Sequence, residues 1–346
     1  MSPQTGLPAR SGARHPEHVL WGGEAPPRVL PVCDHYAGSQ RFLEKALALQ
    51  AQSALGGRPA FDVTADCEDG APVGAEREHA ALIGEIAASP ANACGRLGLR
   101  IHDLTSPHWQ ADLAAVLGRA PGRIAYVVLP KLRTAAEIDL AIAVLDRYAP
   151  ALPVHVIVET HGALRDVMAI AAHPRVECLS FGLMDFVSAH HGAIPASALA
   201  SPGQFDHPLV RRAKLEVAAA AHAWGKVASH NVSTAVRDAA QVAADARRAR
   251  DEFAYTRMWS IHPDQIDAIV ASLAPRHDEI ERAARVLAAA QEADWGPSAE
   301  TGPESTPGHQ LHDRASYRLF WSQLKRAHAA GCALPAGARR YFEETT

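Results

Sequence analysis

A regular alternation of short apolar runs with longer amphipathic stretches, from residue 28 to residue 273, constrains the fold most strongly. Each apolar run is too short for a buried helix and is bounded by Gly, Pro or polar residues, as expected for strands of a parallel sheet. We predict strands over residues 28–33, 60–65, 96–101, 123–129, 153–158, 177–182, 226–229 and 255–261. The intervening stretches predict helices over residues 39–55, 75–88, 107–118, 134–147, 162–172, 208–224, 233–250 and 263–273.

Eight strand–helix units in about 250 residues match a (β/α)8 (TIM) barrel. An open doubly wound sheet is the alternative, but residues 33–40, after the first predicted strand, contain no GxGxxG fingerprint. Within the 346 residues we predict a loosely ordered N-terminal arm (1–26), the barrel (27–273) and a C-terminal helical extension (274–346). The extension includes a helix at 277–292, a Pro/Gly/Ser linker at 294–308 and a basic helix at 313–330.

Composition excludes several classes of protein. With 34 basic and 38 acidic residues the formal net charge is −4. The chain therefore lacks the excess of positive charge that is typical of a nucleic-acid-binding protein. There is no run of about 18 apolar residues and no apolar N-terminal segment, which argues against a transmembrane helix and a secretory signal. The five cysteines are scattered and include no CxxC pair, as in reducing compartments. We therefore expect a cytoplasmic protein without nucleic-acid or membrane partners.

Two carboxylates follow neighbouring predicted strands. Glu159 ends the fifth strand and Asp185 follows the sixth. In a parallel barrel both belong to the functional face, where the carboxyl ends of the strands meet. Two converging carboxylates with open coordination positions suit Mg²⁺, and Mn²⁺ would also fit. The alternative is that each acid merely stabilises the start of a helix.

Arg100 ends the third predicted strand and needs a carboxylate partner. That partner is either a substrate carboxylate, held by two hydrogen bonds, or a structural pair with Glu68 or Asp69. Asp66, Glu68 and Asp69 place three acids within four residues after the second strand, and they repel one another unless a cation lies nearby. A solvated turn is the alternative.

Four further residues are candidates for substrate binding. Lys131, after the fourth strand, is either a Schiff-base nucleophile or, as we favour, an ion-pair partner at the rim. His262, after the eighth strand, either binds an anionic group or caps the next helix. His230 and His312 are candidates for the base that accepts a hydroxyl proton, with a metal-bound water as the alternative. A lone histidine is more often a hydrogen-bonded structural group.

Seven stretches, in order along the chain, resemble the citrate lyase β-subunit-like branch of the HpcH/HpaI aldolase family. They are FLEKALAL (42–49), DCEDGAP (66–72), LRI (99–101), LPK (129–131), IVETHGAL (157–164), LSFGLMD (179–185) and SIHPDQI (260–266). The resemblance implies a Mg²⁺-dependent (β/α)8 lyase that forms a homotrimer or homohexamer. It also implies that Glu159 and Asp185 ligate the metal, that Arg100 holds the ketoacid or carboxylate end of the substrate, and that Glu68 and Asp69 form the acidic surroundings.

We therefore expect retro-aldol or retro-Claisen cleavage of a β-hydroxy acid or its coenzyme A thioester. The product would be a ketoacid such as oxaloacetate, pyruvate or glyoxylate. The chain departs from the family pattern at Arg100-Ile101-His102, which stands for Arg-Val-Asn, and lacks the family's C-terminal Asp-Gly segment. These departures favour one alternative, a non-catalytic subunit that binds a metabolite or acyl carrier. A second alternative is a malate-synthase-like condensation with the same enolate and metal, against which the missing Asp-Gly segment counts.

Overall fold

Eight parallel strands form a closed barrel in the structure, a computed structural model that describes residues 15–54, 58–299 and 310–343. Each strand pairs with the next along the chain, and the eighth pairs with the first. The strands are β1 (Cys33–Ala37), β2 (Asp62–Asp66), β3 (Leu97–Arg100), β4 (Tyr126–Leu129), β5 (Val154–Val158), β6 (Val176–Phe181), β7 (Val227–His230) and β8 (Arg257–Ser260). The predicted (β/α)8 class is confirmed, and the open sheet is excluded because β1 and β8 are hydrogen-bonded.

Helices follow the strands around the barrel, and each predicted helical stretch contains one. They are α2 (Gln40–Gln52), α3 (Glu76–Ala88), α4 (Trp109–Arg119), α5 (Ala136–Leu145), α6 (His161–Arg165), α7 (Val167–Ala172), α8 (Leu183–Ser188), α9 (Gly203–Asp206), α10 (Pro208–Ala223), α11 (Ala239–Phe253) and α12 (Pro263–Leu273). The stretch predicted as one helix over 162–172 is two helices, α6 and α7, separated at Asp166. No helix of the described residues is long and apolar enough to cross a membrane.

The first strand lies later in the chain than predicted, at Cys33–Ala37 instead of 28–33. The sequence there is polar, which is typical of a turn, yet every residue of β1 is buried. Asp34 is accommodated because Thr64 Oγ1 and Tyr126 Oη donate to its Oδ1 at 2.8 and 3.0 Å, and Arg257 Nη2 lies 3.0 Å from Oδ2. A buried carboxylate is tolerated only with such partners.

Charged groups also fill the amino-terminal end of the barrel. Arg257 is fully buried, and its Nη2 lies 2.7 Å from Asp62 Oδ2. Arg96 donates two hydrogen bonds of 2.8 Å to the same carboxylate. Gly98 makes room for the ring of Tyr126, since a Cβ at position 98 would lie 2.2 Å from a ring carbon. The interior below the functional face is therefore a paired ionic network packed against aromatic rings.

A second compact unit combines segments that precede and follow the barrel in the sequence: Met1–Pro26, Pro275–His328 and Cys332–Thr346. The barrel unit comprises Pro27–Ala274 with Ala329–Gly331. The second unit contains α1 (Pro16–Trp21), α13 (His277–Glu292), α14 (Arg314–Ala329), α15 (Ala336–Glu343) and the antiparallel pair β9 (Ser298–Ala299) and β10 (Leu311–His312).

This second unit has its own apolar core. Leu20 and Trp21 of α1 are buried against a cluster that includes Ile280, Leu324 and Trp321. Residues 15–21 therefore differ from the loosely ordered arm that we expected, because α1 provides apolar side chains that the C-terminal helices cover. Residues 1–14 of that arm and 300–308 of the predicted linker lie outside the described residues.

Candidate active site

A bidentate ion pair joins the ends of β2 and β3 at the carboxyl-terminal face of the barrel. The register places Asp66 opposite Arg100, and Arg100 donates from Nε and Nη2 to Asp66 Oδ1 and Oδ2 at 2.7 and 2.5 Å. Arg100 Nη1 also lies 3.1 Å from Glu68 Oε2. These contacts support the structural-pair interpretation of Arg100, with Asp66 as the main partner. The expected partners were Glu68 and Asp69, whereas Asp66 is the last residue of β2 and lies directly opposite Arg100.

The acidic segment after β2 is a turn in which Asp66 and Glu68 are buried and Asp69 is exposed. Glu68 and Gly70 donate backbone hydrogen bonds to the two oxygens of Asp66 at 2.9 and 3.0 Å. Asp66 and Glu68 are both buried. Burial raises the pKa of Glu68, although Arg100 and Lys131 oppose that shift. The cation that this acidic segment requires is therefore supplied by basic side chains of the protein.

Lys131, two residues beyond β4, binds the acidic segment. Its Nζ contacts Glu68 Oε1, lies 2.7 Å from Asp69 Oδ2 and lies 3.8 Å from Asp185 Oδ1. Partial burial lowers the pKa of Lys131, but hydrogen bonds to Asp69 and Glu68 outweigh burial and raise it above the ordinary value. Because an ammonium is not a nucleophile, this geometry favours the ion-pair role over Schiff-base chemistry.

Glu159 follows β5, and its side chain is almost completely buried. The backbone nitrogen of Lys131 donates to Glu159 Oε1 at 2.8 Å. Burial, followed by the charge of Asp185, raises the pKa of Glu159 to about 8. Gly182 lies directly against this carboxyl group, since a Cβ at position 182 would be 2.1 Å from Oε2. A glycine is therefore required beside Glu159.

Asp185 is carried by α8, a helix of only six residues. Two histidines hold the end of this helix: His161 Nε2 lies 3.1 Å from Ala189 O, and His190 Nδ1 lies 2.7 Å from Phe186 O. The two imidazole rings meet edge to face, with centroids 4.6 Å apart. We call His161 and His190 the histidine clasp. Because His161 is two residues after Glu159, the clasp joins the two segments that carry Glu159 and Asp185.

The donor set at these strand ends fits a hard divalent cation. Glu159 and Asp185 provide only carboxylate oxygens, and Mg²⁺ is commonly bound through one or two carboxylates with waters in the remaining positions. Among residues 15–54, 58–299 and 310–343, no group of three or more His, Cys, Asp and Glu side chains is arranged to hold a metal. Two carboxylates are a donor set of the kind that Mg²⁺ or Mn²⁺ accepts.

His230, one of the two histidine candidates for the base, is enclosed by the protein. It is fully buried at the end of β7, with Nε2 2.7 Å from Lys214 Nζ. Lys214 is itself buried, beside the ring of Phe205 at 4.2 Å, and burial places its pKa well below the ordinary value. The role of His230 as a base stays a prediction, for a histidine that is fully buried beside a lysine. The sequence carries no signal for Lys214, which is one of many basic residues on amphipathic helices.

The other two histidine candidates have structural contacts. His262 is the N-cap of α12, where its Nδ1 accepts from Asp264 N at 3.2 Å. This agrees with the capping interpretation. His312, in β10 of the second unit, is buried with its ring 5.3 Å from that of Phe320. Its role as a base stays a prediction.

An aromatic pair at the barrel mouth was not identified from the sequence. Tyr36 of β1 stacks on Trp259 of β8, with ring centroids 4.7 Å apart and planes inclined by 21°. Arg100 Cζ lies 5.3 Å from the Tyr36 centroid. Tyr36 lies in β1, whose position was predicted imprecisely. Trp259 lies in the predicted eighth strand, where its side chain was not singled out.

Comparisons with known proteins show what the chain is similar to. Residues 60–263 match the family model described as HpcH/HpaI aldolase/citrate lyase. A crystal structure of a citrate lyase from Burkholderia xenovorans LB400 is 54% identical, with a TM-score of 0.80, and the match covers 95% of this chain and 100% of that one. A (3S)-malyl-CoA thioesterase from Cereibacter sphaeroides (strain KD131) is 28% identical over 256 residues, which are 74% of this chain and 80% of the relative.

A more distant structure shares the fold. It is the CitE protein of Mycobacterium tuberculosis in complex with magnesium, acetoacetate and coenzyme A. It is 23% identical, with a TM-score of 0.64, and the match covers 88% of this chain and 98% of that one.

Proposed function

The chain belongs to the HpcH/HpaI aldolase/citrate lyase family, and from that premise we propose that it is a Mg²⁺-dependent carbon–carbon lyase. Its substrate would be a β-hydroxy acid or the coenzyme A thioester of one, and a ketoacid would be released. The observation that carries the proposal is the pair of carboxylates gathered around Lys131: Glu159 at its backbone nitrogen and Asp185 3.8 Å from its ammonium. The names of the relatives, a citrate lyase and a malyl-CoA thioesterase, support this substrate class.

Glu159 and Asp185 are the residues that would hold Mg²⁺. The bound ion would supply Lewis-acid stabilisation of the negative charge that develops on the fragment retaining the carbonyl group. The complex of the CitE protein with magnesium supports this choice of metal. Glu159 needs little reorganisation to serve as a ligand, because the Lys131 amide already orients one of its oxygens.

Arg100 would act on the substrate as a fixed positive charge. Its hydrogen bonds to Asp66 use two of the five N–H bonds of a guanidinium, and Nη1 lies 3.1 Å from Glu68 Oε2, so N–H bonds remain for a substrate oxygen. Because Asp66 holds one edge of the guanidinium with two hydrogen bonds, Arg100 loses little side-chain freedom when substrate binds. It would thus orient the carboxylate or keto group and stabilise charge on its oxygen.

Thioester hydrolysis is a second candidate function, because a relative is named (3S)-malyl-CoA thioesterase. Hydrolysis releases coenzyme A and the intact hydroxy acid, whereas carbon–carbon cleavage releases a ketoacid. The two reactions are therefore separated by their products. The non-catalytic subunit and the malate-synthase-like condensation remain alternatives of the same site, and a homotrimer or homohexamer stays a prediction.

The test is mass-spectrometric product detection with citryl-, malyl- and citramalyl-CoA and a set of 4-hydroxy-2-ketoacids. Each substrate is incubated with Mg²⁺ or with EDTA, using the wild type, Glu159→Ala and the control Glu216→Ala on the outer helix α10. We expect Mg²⁺-dependent release of a ketoacid by the wild type and the control only. Circular dichroism should show that both variants remain folded.

Other products would indicate a different function. Release of coenzyme A with an intact hydroxy acid indicates a thioesterase, and malate formed from glyoxylate and acetyl-CoA indicates a condensing enzyme. Ligand binding without any product indicates a binding subunit. Mg²⁺ binding that is unaffected by Glu159→Ala would exclude the proposed metal site.

A further inference from the structure

Trp259 has a buried hydrogen-bond donor with no partner. Its side chain is 8% exposed, and its indole Nε1 is buried without a hydrogen-bond acceptor among the described residues. Trp N–H groups usually have a partner when they are buried, because an unsatisfied donor loses its bond to water without replacement. An acceptor from outside the chain would complete this site.

The position of Trp259 places it in the interior of the barrel. Arg257, two residues earlier on β8, points to Asp34 and Asp62 inside the barrel, and side chains two apart on a strand share a face. Trp259 also belongs to the cluster that contains Tyr36 and Ile157. The indole is therefore part of the interior surface towards the carboxyl ends of the strands.

A positive charge lies against the same aromatic pair. Trp259 stacks on Tyr36, and the guanidinium of Arg100 lies over the Tyr36 ring. Nearby protein carboxylates are already engaged: Asp66 by Arg100, and Glu68 by Arg100 and Lys131. An indole N–H only donates, so it selects an oxygen acceptor and not a cation.

We propose that Trp259 binds the substrate, and that its indole N–H donates to a carboxylate or carbonyl oxygen of the ketoacid fragment. This inference rests on the proposed function, because it names a further group in the same site. The stacked Tyr36 ring fixes the indole plane, so the donor is oriented before the ligand arrives. Arg100 supplies the positive charge, and Trp259 adds directional recognition.

Indole ¹⁵N–¹H spectra test this contact directly, since the chain has only six tryptophans. Trp259→Phe removes the donor, retains a ring that stacks on Tyr36, and identifies the Trp259 signal by its loss. Trp224→Phe is the matched control, because Trp224 is 50% exposed at the end of α10. The probes are pyruvate and oxalate, each added with and without Mg²⁺.

We expect the Trp259 signal to shift as oxalate or pyruvate saturates the wild type. Trp259→Phe should bind oxalate about tenfold more weakly by calorimetry, the effect of losing one hydrogen bond to a charged group. Trp224→Phe should bind like the wild type. Trp259→His restores a ring N–H and should recover part of the affinity, which provides a second variant if Trp259→Phe does not fold.

An unmoved Trp259 signal in the oxalate-saturated protein overturns the inference. Equal affinities of Trp259→Phe and Trp224→Phe, or the absence of binding of both probes to the wild type, overturn it as well. Failure of the proposed function is observed separately, as the absence of a ketoacid product from the substrate panel. A shifted Trp259 signal without any product would mean that Trp259 contacts the carboxylate but that the protein is not the proposed lyase.

Discussion

The backbone nitrogen of Lys131 donates a hydrogen bond to Glu159 Oε1 at 2.8 Å, so the residue beyond β4 orients the acid beyond β5. Lys131 makes this contact with φ at +51°, a left-handed conformation that non-glycine residues seldom adopt. The same residue places its ammonium against Glu68 and Asp69. Under the proposed function Lys131 would thus have two separable effects: its backbone orients a ligand of the cation, and its side chain would repel that cation.

Removal of the Lys131 ammonium should strengthen Mg²⁺ binding. A unit charge about 4 Å from a carboxylate contributes about 1 kcal/mol in a solvated setting, so Lys131→Gln should raise the Mg²⁺ affinity roughly fivefold. Lys131→Arg keeps the charge and should leave that affinity near the wild-type value. Isothermal titration calorimetry at low ionic strength measures both. A weaker Mg²⁺ affinity in Lys131→Gln would contradict this account.

Gly182→Ala should displace Glu159 without unfolding the barrel. The new Cβ would lie 2.1 Å from Glu159 Oε2 and 2.6 Å from its Cβ, so the carboxyl group must move. We expect the Mg²⁺ affinity to fall by about tenfold or more, since ligands must be held closely in place. The control is Gly118→Ala in α4, where a Cβ meets nothing within 4 Å. That variant should gain about 0.5–1 kcal/mol in the free energy of unfolding and keep its Mg²⁺ affinity.

Loss of the histidine clasp should weaken Mg²⁺ binding at Asp185. A helix of six residues is not stable alone, so α8 depends on contacts such as His161 with the Ala189 carbonyl. His161→Ala should lower the Mg²⁺ affinity severalfold and the unfolding free energy by about 1 kcal/mol. His161→Gln keeps an N–H donor and should recover part of both quantities. His191→Asn, at an exposed neighbour, should change neither.

His35 should make folding stability depend on pH. Burial lowers the pKa of His35 to about 4, and its Nδ1 lies 2.7 Å from Ser260 Oγ. In the unfolded chain the pKa is near 6.5, so the unfolded state takes up a proton first as the pH falls. Stability from neutral His35 is complete above pH 6.5 and decreases as the pH falls to about 4, by about 3 kcal/mol in total.

Urea unfolding of the wild type and His35→Gln at several pH values measures this contribution. The difference between the two free energies of unfolding should change by about 3 kcal/mol between pH 6.5 and 4. His155 and His230 are also buried with lowered pKa values, and they contribute equally to both proteins. A difference that does not vary with pH would exclude His35 as the source.

The main features of the site were predictable because barrel geometry converts strand order into spatial position. Glu159 and Arg100 each end or follow a short apolar run, and such positions meet at one face of a closed barrel. The approach of Lys131 to Glu68 and Asp69 follows from the same rule, since β2, β3 and β4 are consecutive neighbours. The alternation of apolar runs was sufficient to locate these strands, because strands of a closed barrel have buried side chains on both faces and are therefore apolar along their length.

The identification of strands from apolar runs failed where polar residues are buried in pairs. Strand β1 contains Asp34, whose partners Tyr126 and Arg257 are 92 and 223 residues away in sequence, so no local pattern shows that it is satisfied. Nor does a local pattern show that His230 is buried, because its partner, Lys214, lies on a different element. Long-range pairing of this kind changes which residues are buried, and a linear pattern does not contain it.

The joining of α1 to the C-terminal helices determines an order of assembly during synthesis. Glu17 accepts a hydrogen bond from Lys325 Nζ at 2.9 Å, across 308 positions of the chain. At about 5–20 residues per second, the ribosome would make Lys325 roughly 15–60 s after Glu17. The barrel strands emerge within that interval. Leu20 and Trp21 therefore remain uncovered until translation is nearly finished, and a chain that stops after the barrel would display them permanently.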